Sequence, residues 1–242
     1  MPIRSPAANS ESSKDRSKRS VRSYVLRAGR LTEGQRRALD ELWPLFGIEA
    51  DASPIDFSNL FGNDRPVIME IGFGNGEATW RMAREHPEEN YLGVEVHRPG
   101  VGRLLLNIEA HELGNIRIAR EDAVDLLRER VAERSLAGVR IYFPDPWPKK
   151  RHHKRRIVQP EFISLAASRM KAGGILHLAT DWQPYAEHML EVMKLSPEFE
   201  NLSVSGGYCP KPDWRPATKY EQRGRRLGHE VFDLVFRRVR RS

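Results

Sequence analysis

Five short apolar runs, each followed by a helical stripe or a helix-length segment, constrain this chain more than any other feature. They are VIMEI (67–71), YLGVEV (91–96), IRIA (116–119), VRIYF (139–143) and ILHLAT (175–180). Strands that alternate with helices in this way pair in parallel through crossovers, which predicts βαβ units. Right-handed crossovers and burial of both sheet faces then place helices on either side. The spacing of Val101, Leu104, Leu105 and Ile108 is that of one helix face. Val124, Leu127 and Val131 mark the next helix, and Phe162, Leu165, Ala166 and Met170 one that ends at Gly173–Gly174. Thr32 reads as the cap of an earlier helix reaching about Pro44, and further helices should start near Glu77 and span about 185–195. Residues 51–64 read as an irregular connection, and two more β stretches are expected near 199–205 and 230–237. The expected fold class is α/β, a doubly wound, mostly parallel sheet.

Several classes are excluded. The single cysteine, Cys209, rules out a disulfide-stapled scaffold and a Cys-rich zinc module. No run of about eighteen apolar residues exists, so no membrane span is expected. Residues 1–22 read as a disordered, basic, Ser/Arg-rich tail ahead of a single domain at 23–242. That tail has no apolar run behind its basic residues, and Glu11 and Asp15 argue against a transit peptide, so a cytoplasmic protein is expected. The charge is uneven. Residues 1–30 hold eight basic and two acidic side chains, and Lys149–Arg156 (KKRHHKRR) six cations and no acid. Those two segments exceed the whole chain's net +7, so the remainder is net acidic. Short charged stretches are more often solvated faces, but eight residues without an acid point to a polyanion such as nucleic acid.

In doubly wound sheets ligands bind beyond the carboxyl ends of the strands, so the residues after each strand are the candidates. The first run leads into Glu70-Ile71-Gly72-Phe73-Gly74-Asn75-Gly76-Glu77. Glycines there allow close backbone approach, but Glu77 stands where the dinucleotide pattern needs its third glycine. Glu70 and Glu77 would repel a pyrophosphate, so the turn suits a ligand that has no phosphate or is cationic. Glu95, after the second strand, is placed to accept ribose hydroxyls, and Asp122, after the third, an exocyclic amine. Asp122 could equally be a helix cap. Together they describe an adenosine pocket without phosphate, with S-adenosylmethionine its natural occupant. After the fourth strand, three prolines in five residues stiffen the loop carrying Asp145 and Trp147. Trp147 is as readily a core anchor as a base-stacking surface. Asp181 follows the fifth strand, and Thr218, Lys219, Tyr220 and Glu221 form a mixed polar run near the end.

These residues carry a resemblance. EIGFGNGE (70–77), GVEVH (93–97), FPDPWPKKRHHKRR (143–156), TDW (180–182) and TKYEQRG (218–224) are similar to the motifs of bacterial tRNA (guanine-N7-)-methyltransferases, over roughly residues 22–237. The first motif is shared widely among methyltransferases, and the proline-rich basic segment with TKYEQRG is far more specific. The resemblance implies a class I methyltransferase fold, seven-stranded with the last strand antiparallel, that methylates N7 of a variable-loop guanine in tRNA. It implies S-adenosylmethionine contacts at Glu70, Gly72, Gly74, Glu95, Asp122 and Asp145, with Asp145 the catalytic residue. It places substrate contacts at Lys149, Asp181, Thr218, Lys219, Tyr220 and Glu221, and RNA contacts at Arg151, His152, His153, Lys154, Arg155 and Arg156. It makes tRNA the partner; no metal and no membrane are expected, and the oligomeric state is left open, a monomer being favoured over an oligomer. An S-adenosylmethionine enzyme acting on protein or a small molecule is disfavoured by the KKRHHKRR run. A silent RNA-binding relative is disfavoured by the acids after every strand.

Overall fold

A computed structural model of the chain describes residues 22–24, 29–51 and 53–240. The expected tail lies outside the described residues apart from Arg22. The first described elements are α1 (Glu33–Glu41), α2 (Trp43–Phe46), β1 (Gly47–Ile48), α3 (Phe57–Phe61), β2 (Val67–Ile71) and α4 (Glu77–Glu85). Next come β3 (Asn90–Val94), α5 (Arg98–Ala110), β4 (Ile116–Ala119), α6 (Ala123–Glu129) and β5 (Leu136–Tyr142). After a 3-10 turn at Lys150–Arg155 follow α7 (Pro160–Arg169), β6 (Met170–Thr180), α8 (Gln183–Lys194), β7 (Phe199–Asn201), α9 (Lys219–Arg226) and β8 (Phe232–Arg238). The sheet has eight strands in the order β1-β4-β3-β2-β5-β6-β8-β7, where β8 runs antiparallel to both its neighbours and the other pairings are parallel.

All five apolar runs form strands, and the last strand is antiparallel as expected. The count is eight because β1, two residues long, joins β4 through a register too short for any periodicity to announce. The 51–64 connection contains α3, capped by Asp56, whose carboxylate accepts the Asn59 amide. Thr32 does cap α1, through a reciprocal capping box with Gln35, but the helix stops at Glu41. α6 buries Ala123, Leu126 and Leu127, and Val131 lies beyond its end, bridged to Ile55. α7 stops at Arg169 because Met170 already pairs with Leu136, so β6 starts before the two glycines that were expected to end the helix.

Two apolar layers flank the sheet. One packs α1, α4 and α5 through Leu39, Met82, Leu104 and Leu105, and the other packs α6, α7 and α8 through Leu126, Phe162 and Tyr185. The chain runs from β2 outward through β3 to β4, then returns to place β5 on the other side of β2. The order therefore reverses between β2 and β5, and the cleft opens beyond their carboxyl ends. There Gly72, Gly74 and Gly76 all have positive φ, near 71°, 60° and 75°, which other residues adopt only with strain. The N-terminus of α5 presses on this turn: a Cβ at Gly100 would lie 2.0 Å from the Gly74 carbonyl oxygen. Gly100→Ala should therefore cost about 1–3 kcal/mol, lowering the thermal midpoint by several degrees. A melt indistinguishable from wild type would show that α5 has room to retreat.

Candidate active site

Beyond β2 and β5 lie two adjoining lobes, of about 420 and 550 Å³, which share Gly72, Gly74, Phe143, Pro144 and Asp145. In the first lobe Glu95 is fixed by backbone amides. Its Oε2 accepts the Gly74 amide at 2.9 Å, and Oε1 accepts those of Val96 and His97 at 2.8 and 2.9 Å. Glu121 and Ala123 line this lobe, and Glu121 also takes an ion pair from Arg130 at 2.6 Å. Among the described residues no lysine or arginine lines it. Asp122 instead accepts the Val124 amide on Oδ1 at 2.8 Å as the cap of α6 and faces a neighbouring depression, so the capping alternative describes that oxygen.

Asp145 stands where the lobes meet, exposed and without a hydrogen bond or ion pair to any described residue. The loop bearing it is not simply extended. Phe143 and Trp147 have φ near 51° and 44°, so the backbone turns left-handed on either side of Pro144-Asp145-Pro146. Such residues persist only where their surroundings over-determine them. Here the Phe143 amide bonds the Ala179 carbonyl at 2.8 Å, and the Arg156 Nε donates to the Pro146 carbonyl at 2.9 Å.

Glu70, Asp181, Thr218 and Tyr220 line the second lobe. The Tyr220 hydroxyl donates to Asp181 Oδ2 at 3.2 Å, and His229 lies 3.6 Å from the same oxygen. Tyr220 meets Phe143 edge-on at 5.2 Å, beside the exposed Trp182. Glu70 is buried on β2 and accepts the Thr79 hydroxyl at 2.6 Å. Burial pushes its pKa from 4.5 to about 7, against the smaller opposing effects of Thr79 and the Arg140 charge.

Two expected contacts point elsewhere. Glu221 is 1% exposed and pairs with Arg215 at 2.5 Å and Arg225 at 2.8 Å, so it anchors α9 rather than facing the cleft. Arg156, 3% exposed, stacks on Tyr185 at 4.8 Å and clamps the proline loop, so it is withdrawn from any phosphate. Arg155 lies over the Trp147 ring at 3.9 Å, while Lys149, Lys150, Arg151 and Lys154 are exposed. His152 meets Trp147 edge-on, and His153 bonds Arg156, so both imidazoles are engaged within the loop. Trp147 is half-buried against these groups, neither a core anchor nor a free stacking face. Lys219 offers its amide to Glu77 Oε2 at 2.9 Å, and Glu77 pairs with Arg81 at 2.8 Å. The residue that breaks the dinucleotide pattern thus ties α4 to the start of α9.

Behind the lobes lies a buried polar network that the sequence reading missed. Arg215 bonds both oxygens of Asp233, at 2.6 and 2.9 Å, and Glu221 as well; Asp233 also takes His177 at 2.8 Å. Burial raises the Asp233 carboxyl, but its His177 and Arg215 partners outweigh that and hold it low. Burial lowers His177 to about 4, against its bond to Asp233, so it is neutral near pH 7. Glu70, Arg140 and His177 are register partners across β2, β5 and β6, each a polar residue inside an apolar run. That intrusion was a readable signal.

Residues 64–234 match a protein family described as "Putative methyltransferase". A protein of Ectopseudomonas mendocina (strain ymp) named tRNA (guanine-N(7)-)-methyltransferase is 54% identical over 223 residues, 92% of this chain and 94% of that one. One of the same name from Stutzerimonas stutzeri (strain A1501) is 51% identical over 239 residues, 99% of this chain and 100% of that one. The crystal structure of 16S rRNA methyltransferase KamB shares the fold, with TM-score 0.55 at 14% identity over 77% of this chain and 96% of that one.

The Glu70 shift sets a pH dependence. The unfolded carboxyl ionises near 4.5 and the folded one near 7, so the native state binds the extra proton between them. Stability then falls as pH rises through that window, by on the order of 2–3 kcal/mol. Glu70→Gln removes this titration. Denaturant midpoints at pH 5 and 8 should therefore differ less in the variant than in wild type. Equal differences would show that Glu70 ionises alike in both states.

Proposed function

The chain belongs to the family of bacterial tRNA (guanine-N7-)-methyltransferases, and we propose that it transfers a methyl group from S-adenosylmethionine to N7 of a variable-loop guanine in tRNA. The observation that carries this reading is a two-lobed cleft with a carboxylate, Asp145, at the junction that pairs with no described residue.

The first lobe fits the donor's adenosine. Its lining holds Glu95, Glu121 and Asp145 and, among the described residues, no lysine or arginine, with His97 the one imidazole, which disfavours phosphate and favours hydroxyl, amine and cationic groups. Glu95 is held rigid by three amides, as suits an acceptor for ribose hydroxyls. Asp122 keeps one oxygen outside its capping bond. The donor's methionine end, extended toward the second lobe, would bring its ammonium group to Glu70, which lines that lobe and would ionise beside it. When bound, S-adenosylmethionine supplies an electrophilic methyl group carried on a sulfonium.

In the second lobe the chain has to position a base rather than deprotonate it, because guanine N7 carries a lone pair and no proton. Phe143, Tyr220 and Trp182 offer aromatic walls for the purine. Asp181 orders Tyr220 and His229 around it. Asp145 can accept guanine N–H groups and offset the positive charge that grows on the ring. Outside the cleft, exposed Lys149, Lys150, Arg151 and Lys154 suit backbone phosphates.

The test incubates the protein with methyl-labelled S-adenosylmethionine and unmodified tRNA, then maps 7-methylguanine by borohydride–aniline cleavage. Labelled methyl at a single variable-loop guanine is expected. Methylation of another base or atom, or of no tRNA at all, would contradict the reading.

A further inference from the structure

The proline-rich loop holds residues 22–24 at the edge of the first lobe through their backbone carbonyls. The Trp147 indole N–H donates to the Ser23 carbonyl at 3.1 Å. Arg155 donates from Nε to the Arg22 carbonyl at 3.2 Å and from a terminal nitrogen to the Tyr24 carbonyl at 3.1 Å. The Arg155 guanidinium also lies 3.9 Å from the centre of the Trp147 ring, so the two anchors brace each other. Ser23 and Tyr24 in turn form part of the wall of the lobe that holds Glu95. Burial raises the Tyr24 hydroxyl, with the charges of Asp122 and Asp125 adding to it against that of Arg22, whose guanidinium lies 5.8 Å from the centre of the Tyr24 ring. Three successive residues are thus fixed by two side chains from a segment more than a hundred positions away.

We infer that residues 22–24 are a strap closing the adenosine lobe, and that Trp147 and Arg155 are positioning residues that set cofactor affinity through it. The inference rests on the reading of that lobe as the S-adenosylmethionine site. It gives Arg155 a role a phosphate contact would not have: its donors are directed at two backbone carbonyls, which require a fork and not merely a charge. It also links the two lobes, since one rigid loop presents Asp145 to the base and grips the strap over the donor.

The full chain distinguishes these roles by titration with S-adenosylhomocysteine in a calorimeter, without tRNA. Trp147→Phe keeps the ring and loses the N–H, Arg155→Lys keeps the charge and loses the fork, and Tyr24→Ala removes the wall. Each should weaken cofactor binding roughly three- to tenfold. Tyr24→Ala combined with Trp147→Phe should fall short of the product of the single effects, because both act through one strap. The melting temperature without ligand and the tRNA affinity of Trp147→Phe should stay at wild-type values. Unchanged cofactor affinity in all three variants overturns the strap, as does an equal loss of cofactor affinity and melting temperature. Failure of wild type to bind S-adenosylhomocysteine would instead remove the lobe assignment beneath it.

Discussion

Between Phe143 and Trp147 the backbone turns left-handed at both ends of a Pro-Asp-Pro segment, and that segment is the shared wall of the two lobes. Each such residue costs about 1–2 kcal/mol, so the path holds only because its surroundings impose it. The Arg156 side chain fastens the Pro146 carbonyl, the Phe143 amide joins β6, and Trp147 and Arg155 reach the strap. The result is a carboxylate with no partner among the described residues, on a backbone that is held in place before any ligand arrives. Preorganisation of this kind is where electrostatic catalysis gains most, because the group does not reorganise as charge develops.

The far wall of the cleft depends on the buried ions. Arg215 joins Asp233 on β8 to Glu221 on α9, and Glu77 joins α4 to the first amide of α9. Apart from the edge-on contact of Tyr220 with Phe143, α9 is seated by these pairs, and its one buried side chain is Glu221. A buried guanidinium between two carboxylates is a poor source of net stability but an exacting one for geometry, since either partner alone is strongly destabilising. Tyr220 and Thr218 owe their place at the lobe to it.

The sheet was legible because each core strand is an apolar run, and the rule that ligands sit beyond carboxyl ends located Glu70, Gly72, Gly74, Glu95, Asp145 and Asp181 around one cleft. β1 was hidden by its length, and the end of α7 by a strand that starts before the glycines. What sequence could not supply was side-chain direction. Arg156 and Glu221 sit in a basic run and a polar run, yet both turn inward because a strained loop and a buried arginine need them. Ser23 and Tyr24 gave no signal, since they act through backbone carbonyls that every residue has.

The central claim is that the charge of Asp145, and not merely its shape, lowers the barrier to methyl transfer. Asp145→Asn preserves size and hydrogen-bonding outline while removing that charge. Single-turnover methyl transfer at saturating S-adenosylmethionine and tRNA should slow roughly a hundredfold or more, with tRNA affinity close to wild type. A variant that turns over near the wild-type rate would show that Asp145 is only part of the wall.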